Sequence, residues 1–216
     1  MAGDLLSFTL LTFSSILIIV NPLGATLVYV SLTTGLDKPA RDTIARDSCR
    51  FALLILLFVA VLGAWILQLF GIGLEAFRIA GGILLFGIGM EMVYARTSRT
   101  KLTATEKYES RENDDVAIMP LAIPMIAGPG AITTTIVMMN EAIVMTPIAI
   151  AVVFIAIAVS IVMTYYMMRN SDYIIKRVGQ REYRAINRLM GMLLIAIAVQ
   201  FVINGIKLAF PLLTGG

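Results

Sequence analysis

The chain has 216 residues, 59% of them hydrophobic and 14% charged, with a mean hydropathy of +0.90. Soluble domains carry about a quarter charged residues, so water is not the only solvent of this chain. The net charge of +3 sits beside apolar runs and does not point to nucleic acid; the lack of histidine removes the commonest metal ligand and catalytic base, and the single Cys49 excludes an internal disulfide.

About 20 apolar residues cross the hydrocarbon core of a bilayer as a helix, and six runs reach that length. The first covers 5–34, with Pro22 and Gly24 inside it. It has neither a basic leader nor an A-x-A-like cleavage site, so it reads as a retained helix. The second covers 50–70 and the third 72–95. The stretch 96–115 is charged and has no apolar periodicity, which marks a solvated connection. The fourth run covers 117–140, the fifth 143–168 and the sixth 188–210. The expected fold class is an all-α membrane protein of six transmembrane helices. It divides into a three-helix unit at 1–96, a cytoplasmic loop at 97–116 and a second three-helix unit at 117–216, together one transport domain.

The connections after helices 1, 3 and 5 hold fifteen of the Lys and Arg residues, and the other side holds two, Arg78 and Lys207. The excess of basic residues stays in the cytoplasm, which places both termini outside.

Two landmarks repeat. Asn21-Pro22-Leu23-Gly24-Ala25 in helix 1 is answered by Gly128-Pro129-Gly130-Ala131-Ile132 in helix 4, 107 residues on. Arg78, Gly81 and Leu84 of helix 3 are answered by Arg188, Gly191 and Leu194 of helix 6, 110 residues on. A three-helix unit inserts in the opposite sense in its second copy, so two inverted repeats are expected.

Both first helices of these units carry their breakers inside the run. Pro removes a backbone donor and clashes with the preceding turn, and non-helical backbone at membrane depth survives only where protein or a cavity covers it. The half-helix from Gly24 presents free N–H groups, Ala25 and Thr26. That starting near Ala131 does the same with Thr133, Thr134 and Thr135. A helix N-terminus holds an anion such as a carboxylate without a buried Arg. The carbonyl ends at Ile19, Val20, Ile126 and Ala127 suit an ammonium or a cation. Asn21, Pro22, Gly24, Ala25, Thr26, Gly128, Pro129, Gly130, Ala131 and Thr133 are therefore the candidate substrate-binding residues.

Other residues leave two readings open. Glu91 is a carboxylate inside a span, which suits a proton or cation site, or an interfacial ion pair with Arg96. Gln200 and Asn204, four apart on helix 6, suit hydrogen bonds between helices or a cavity wall. Arg78 and Arg188 read as snorkelling anchors. Gly81, Gly82, Gly87 and Gly89 read as a close-packing surface, since no strand precedes them to make a nucleotide loop. No catalytic set, metal-ligand spacing or cofactor motif occurs, and an enzyme is not expected.

On Asn21-Pro22-Leu23-Gly24 and on the longer Pro120-Leu-Ala-Ile-Pro124-Met-Ile-Ala-Gly128-Pro129-Gly130-Ala131-Ile132, the chain resembles the MarC family of prokaryotic membrane proteins. The family includes a small neutral amino acid transporter. The resemblance implies a multi-pass protein of the prokaryotic plasma membrane that takes up glycine, alanine and similar amino acids, driven by H+ or Na+. It also implies that the discontinuous helices 1 and 4 carry the site. One departure stands out: Gly128 occupies the place of Asn21, so a side-chain cap is available to the first half alone. An exporter of another small solute or drug, and a non-transporting membrane scaffold, are the alternatives.

Overall fold

The computed structural model describes residues 2–33, 35–94, 117–173 and 180–210. The connection expected at 97–116 lies outside the described residues. The described elements are all helical: α1 (Ala2–Val20), α2 (Pro22–Leu32), α3 (Lys38–Leu69), α4 (Leu74–Val93), a π-helix (Ala117–Ile126), α5 (Pro129–Met145), α6 (Pro147–Arg169) and α7 (Gln180–Ala209).

Four of these helices start on a proline in the first turn, where its missing N–H costs nothing and its fixed φ suits a helix. Three of the four are capped by a side chain. Ala40 N–H donates to Asp37 Oδ1 (3.1 Å), Ala149 N–H to Thr146 Oγ1 (3.2 Å) and Gly24 N–H to Asn21 Oδ1 (3.1 Å). The fourth, α5, follows Gly128 and has no side-chain cap.

Five stretches are long and apolar enough to cross a membrane: 5–30 counted across Asn21, α3, α4, α6 and 188–209 of α7. The expected fourth span at 117–140 is instead two pieces, a π-helix of 10 residues and α5 of 17. Pro120 and Pro124 explain the first piece. Each deletes an α-helical donor, and a wider turn carries the chain past them. Its last bond, Ala127 N–H to the Ala122 carbonyl five residues back (2.9 Å), has the π-helical spacing.

The length and faces of α3 show how such a helix meets both protein and lipid. Small residues such as Ala45, Ser48, Ala52 and Ala60 point inward and are buried. Leu54, Phe58, Val61, Trp65 and Leu69 are exposed at three- and four-residue spacing. A helix apolar on every face is a membrane span, and the exposed stripe is its lipid side. The concavity between Leu54, Phe58 and Val61 belongs to that apolar stripe and holds no polar lining residue.

The helix α6 packs against α1, α2, α3 and α5, whereas α4 packs chiefly on α7. The α4–α7 seam runs antiparallel and close to backbone contact. A Cβ on Gly82 would stand 2.7 Å from the Ala198 carbonyl oxygen, and one on Gly191 would stand 2.9 Å from that of Gly89. Gly205 lies equally close to the Glu75 carbonyl, at 2.9 Å. Small residues at a seam let helices approach where lipid gives no hydrophobic drive. Gly82 and Gly89 thus pack closely as their spacing implied. Gly87 instead faces open space.

Polar ties hold the start of α3 and join α4 to α5. In the first, Arg41 Nη2 meets Asp172 Oδ1 (2.9 Å) and donates to Ser171 Oγ (3.2 Å), while Tyr29 Oη donates to the Arg41 carbonyl (2.9 Å). In the second, Arg78 of α4 meets Glu141 of α5 at 2.7 Å.

Candidate functional site

The two breaks are built differently. The first is a single residue, Asn21, at φ 48° and ψ 67°. Asn is among the few residues that tolerate this left-handed conformation, and it is the one non-glycine with positive φ among the described residues. The chain loses little in passing it. Asn21 N–H still donates to the Leu17 carbonyl (3.1 Å), and Ala25 N–H to the Asn21 carbonyl (3.0 Å). Its Oδ1 takes the Gly24 N–H, and the side chain fills the space where a Cβ on Gly24 would go. Asn21 is thus spent on closing its own break.

The second break is longer. The π-helix ends at Ile126, Gly128 is extended at φ −71° and ψ 172°, and α5 begins at Pro129. The first backbone bond across the start is Ile132 N–H to the Gly128 carbonyl (3.0 Å). Pro129 has no N–H, and Gly128 has no side chain to receive those of Gly130 and Ala131. The positive end of the α5 dipole lies here without a side-chain cap.

The structure brings these breaks together. A Cβ on Gly130 would stand 3.4 Å from Ile19 Cγ2 of α1 and 2.8 Å from Leu85 Cδ2 of α4. Of the expected site residues, Pro22, Gly24, Ala25, Thr26, Gly128, Gly130, Ala131 and Thr133 are buried, Asn21 is partly so, and Pro129 is exposed. Thr26 Oγ1 donates back to the Pro22 carbonyl (2.7 Å). The Thr133 methyl occupies the space beside Gly81, so α4 leans on α5 within a turn of the break. The surroundings are apolar, with Ile19, Leu85 and Ile88 at Gly130, and bear hydroxyls at Thr26 and Thr133.

Three expected residues lie elsewhere. Glu91 is exposed near the end of α4. Gln200 is exposed and donates through Nε2 to Asn204 Oδ1 of its own helix (2.8 Å). This bond lies within one helix, whereas the expectation was for bonds between helices or a cavity wall.

Arg78 also departs from expectation. A snorkelling anchor would extend toward the headgroups, but Arg78 is 6% exposed and paired with Glu141. Its apparent counterpart Arg188 is exposed. Sequence reasoning passed over Glu141 because it falls in the gap between the expected fourth and fifth helices. The signal was Arg78 itself, one turn from Gly81 and Gly82, on the face that those glycines commit to protein. Also unforeseen, among the described residues, are four buried hydroxyls without a hydrogen-bond partner, those of Ser15, Thr134, Thr135 and Ser160. Among the described residues no group of three or more Cys, Asp and Glu is placed to hold a metal.

The family model for "MarC family integral membrane protein" matches residues 6–210. The chain belongs to the MarC family. A UPF0056 membrane protein of Methanocaldococcus jannaschii is 42% identical over 203 residues, 94% of this chain and 97% of that one. The UPF0056 membrane protein YvbG of Bacillus subtilis is 37% identical over 96% of this chain and 98% of its own length. YhcE of Escherichia coli, of the same designation, is 34% identical over 92% of each. No solved structure matches the chain. The MarC match contains both breaks, the Arg78–Glu141 pair and the α4–α7 seam, so these features lie inside the family's extent and not in an added segment.

Proposed function

We propose that this MarC chain is a secondary active transporter of small neutral amino acids, such as glycine, alanine and serine, coupled to a proton or sodium gradient. The observation that carries the reading is the α5 N-terminus. Gly130 and Ala131 offer backbone N–H groups with no side-chain cap, buried and close to Ile19 beside the first break. A carboxylate fits such a site through the helix dipole and the N–H groups, and needs no Arg there. The ammonium falls to oxygen acceptors around the same breaks. Little room lies beside Gly130, between Ile19 and Leu85, which favours small side chains.

The transport reading takes the π-helix and α5 together as the fourth of six spans. The chain is then two inverted three-helix repeats, 1–96 and 117–216, each led by its broken helix, with both termini outside the plasma membrane. Inverted repeats with discontinuous helices at their interface are a common plan of secondary transporters. No catalytic role is assigned to any residue.

Uptake of labelled glycine or alanine into proteoliposomes with imposed H+ or Na+ gradients tests the proposal. Gradient-dependent accumulation above empty vesicles is the expected result, and its absence for glycine, alanine and serine alike sinks the reading. Efflux from loaded vesicles without uptake would favour the exporter instead.

A further inference from the structure

Gln200 lies near the middle of a membrane span, the stretch 188–209 of α7, about 2 Å from its midpoint at 1.5 Å per residue. Its direction follows from the α4–α7 seam. Gly191, Ala198 and Gly205, seven apart, touch α4. Gln200 stands two residues past Ala198, about 200° round the helix, so it points away from α4 and is exposed. An exposed apolar residue at this depth only meets lipid, as the stripe from Leu54 to Trp65 of α3 does. An exposed amide is different, because lipid offers it no hydrogen bond. Ser14, also exposed, settles on its own helix by donating to the Leu10 carbonyl at 2.6 Å. Gln200 does so only in part. Its Nε2 donates to Asn204 Oδ1 at 2.8 Å, which uses one hydrogen of the first amide and one oxygen of the second. Gln200 Oε1 and Asn204 Nδ2 keep further capacity to accept and donate.

The residues around Gln200 form a seam. Leu189, Leu193, Ala196, Gln200 and Ile203 are four, three, four and three apart, and all are exposed. That is the a and d pattern along which two helices pack at a shallow left-handed angle, and a single polar residue at an a position sets register and number of strands. We infer that a second copy of this chain packs here, α7 against α7 about a two-fold axis along the membrane normal, with the two Gln200 amides bonded across it. The occupant follows from the chemistry of the face. A two-fold axis brings each seam residue to its own copy at the same depth. An amide is donor and acceptor at once, so two identical amides satisfy each other where a donor or acceptor alone could not. Ala196 keeps the centre of the seam narrow enough for the helices to approach. The pairing is independent of the transport reading, since both breaks lie on other helices.

The test uses the full chain, singly labelled and reconstituted in lipid vesicles at increasing dilution, with subunits counted by stepwise photobleaching. Two copies per complex are expected. Gln200→Leu should raise the dissociation constant about fivefold or more, the scale of one hydrogen bond between membrane helices, and Gln200→Asn should restore part of the loss. Gln200 faces away from the chain's own core, so the leucine leaves the fold intact. Position is checked separately on a Cys49→Ala background, where oxidation by copper phenanthroline should cross-link Leu193→Cys into dimers and spare Leu54→Cys on the lipid stripe of α3. A wild-type count of one, or of three and more, overturns the two-fold pairing. So does cross-linking of Leu54→Cys as fast as Leu193→Cys, which would report chance collisions. Dimerisation of Gln200→Leu indistinguishable from wild type overturns the role of the amide.

Discussion

Arg78 Nη2 stands 2.7 Å from Glu141 Oε1, joining α4 to the end of α5 remote from Gly130. The side chain of Arg78 is 8% exposed and that of Glu141 25%, so losing one partner strands the other in poorly solvated surroundings. Breaking a fully buried pair costs about 3–5 kcal/mol, and Glu141's access to solvent puts this pair at or below the low end. Arg78→Leu and Glu141→Leu should each lower the unfolding temperature in detergent. The charge-reversed double variant, Arg78→Glu with Glu141→Arg, should recover part of the loss. Equal stability of all variants would show that the pair contributes nothing.

Asn21 offers a comparison that separates backbone from cap. Its φ of 48° suits glycine, and its Oδ1 holds the Gly24 N–H. Asn21→Gly keeps the backbone and loses the cap, at a cost of a few tenths of a kcal/mol. Asn21→Ala loses the cap and also forces a Cβ into the left-handed region, adding about 1–2 kcal/mol. Melting curves of the two variants should therefore rank glycine above alanine, against the usual helix preference. The reverse order would mean that the break straightens once Asn21 is removed.

Much of this was legible in the sequence, and the gaps have physical causes. Pro22 and Gly24 inside an over-long apolar run announced the first break, because few other arrangements keep proline within a span. Gly128-Pro129-Gly130 announced the second. The consequence of the Asn21/Gly128 mismatch needed coordinates. The sequence shows that one break has a capping residue, but not that the residue is consumed by its own helix. Pro120 and Pro124 signalled disturbance without saying that a π-helix absorbs it. Arg78 and Glu141 escaped because a pair 63 positions apart leaves no local periodicity. The unpartnered hydroxyls of Ser15 and Thr134 escaped because serine and threonine are ordinary in membrane helices, and their isolation appears only when carbonyl partners are assigned.

The α4–α7 seam should distinguish glycines by position. A Cβ on Gly191 would stand 2.9 Å from the Gly89 carbonyl oxygen, and one on Gly82 would stand 2.7 Å from that of Ala198. Backbone oxygens cannot rotate aside, so the helices must separate. Gly191→Ala and Gly82→Ala should each destabilise by about 1–3 kcal/mol, the usual range for overpacking. Gly87 faces open space. Gly87→Ala should be neutral or slightly stabilising, since alanine is the better helix former. Thermal denaturation of the three variants checks the ranking, and a destabilised Gly87→Ala would indicate a partner covering that face.

Orientation can be decided through the one native thiol. Cys49 is buried at 4% exposure, so Cys49→Ala gives a cysteine-free background in which single new thiols report their side of the membrane. Gly3→Cys, Thr103→Cys and Thr214→Cys sample the two ends and the connection between the halves. The fifteen-to-two distribution of basic residues predicts a cytoplasmic connection by the positive-inside rule. A membrane-impermeant maleimide added to intact cells should therefore label positions 3 and 214 and spare 103 until the cells are opened. The parity of the result also counts the spans. Two termini on one side require an even number, so the π-helix and α5 together complete a sixth crossing. Termini on opposite sides require an odd number. In that case the broken segment enters and leaves by the same face, and the inverted repeat fails with it.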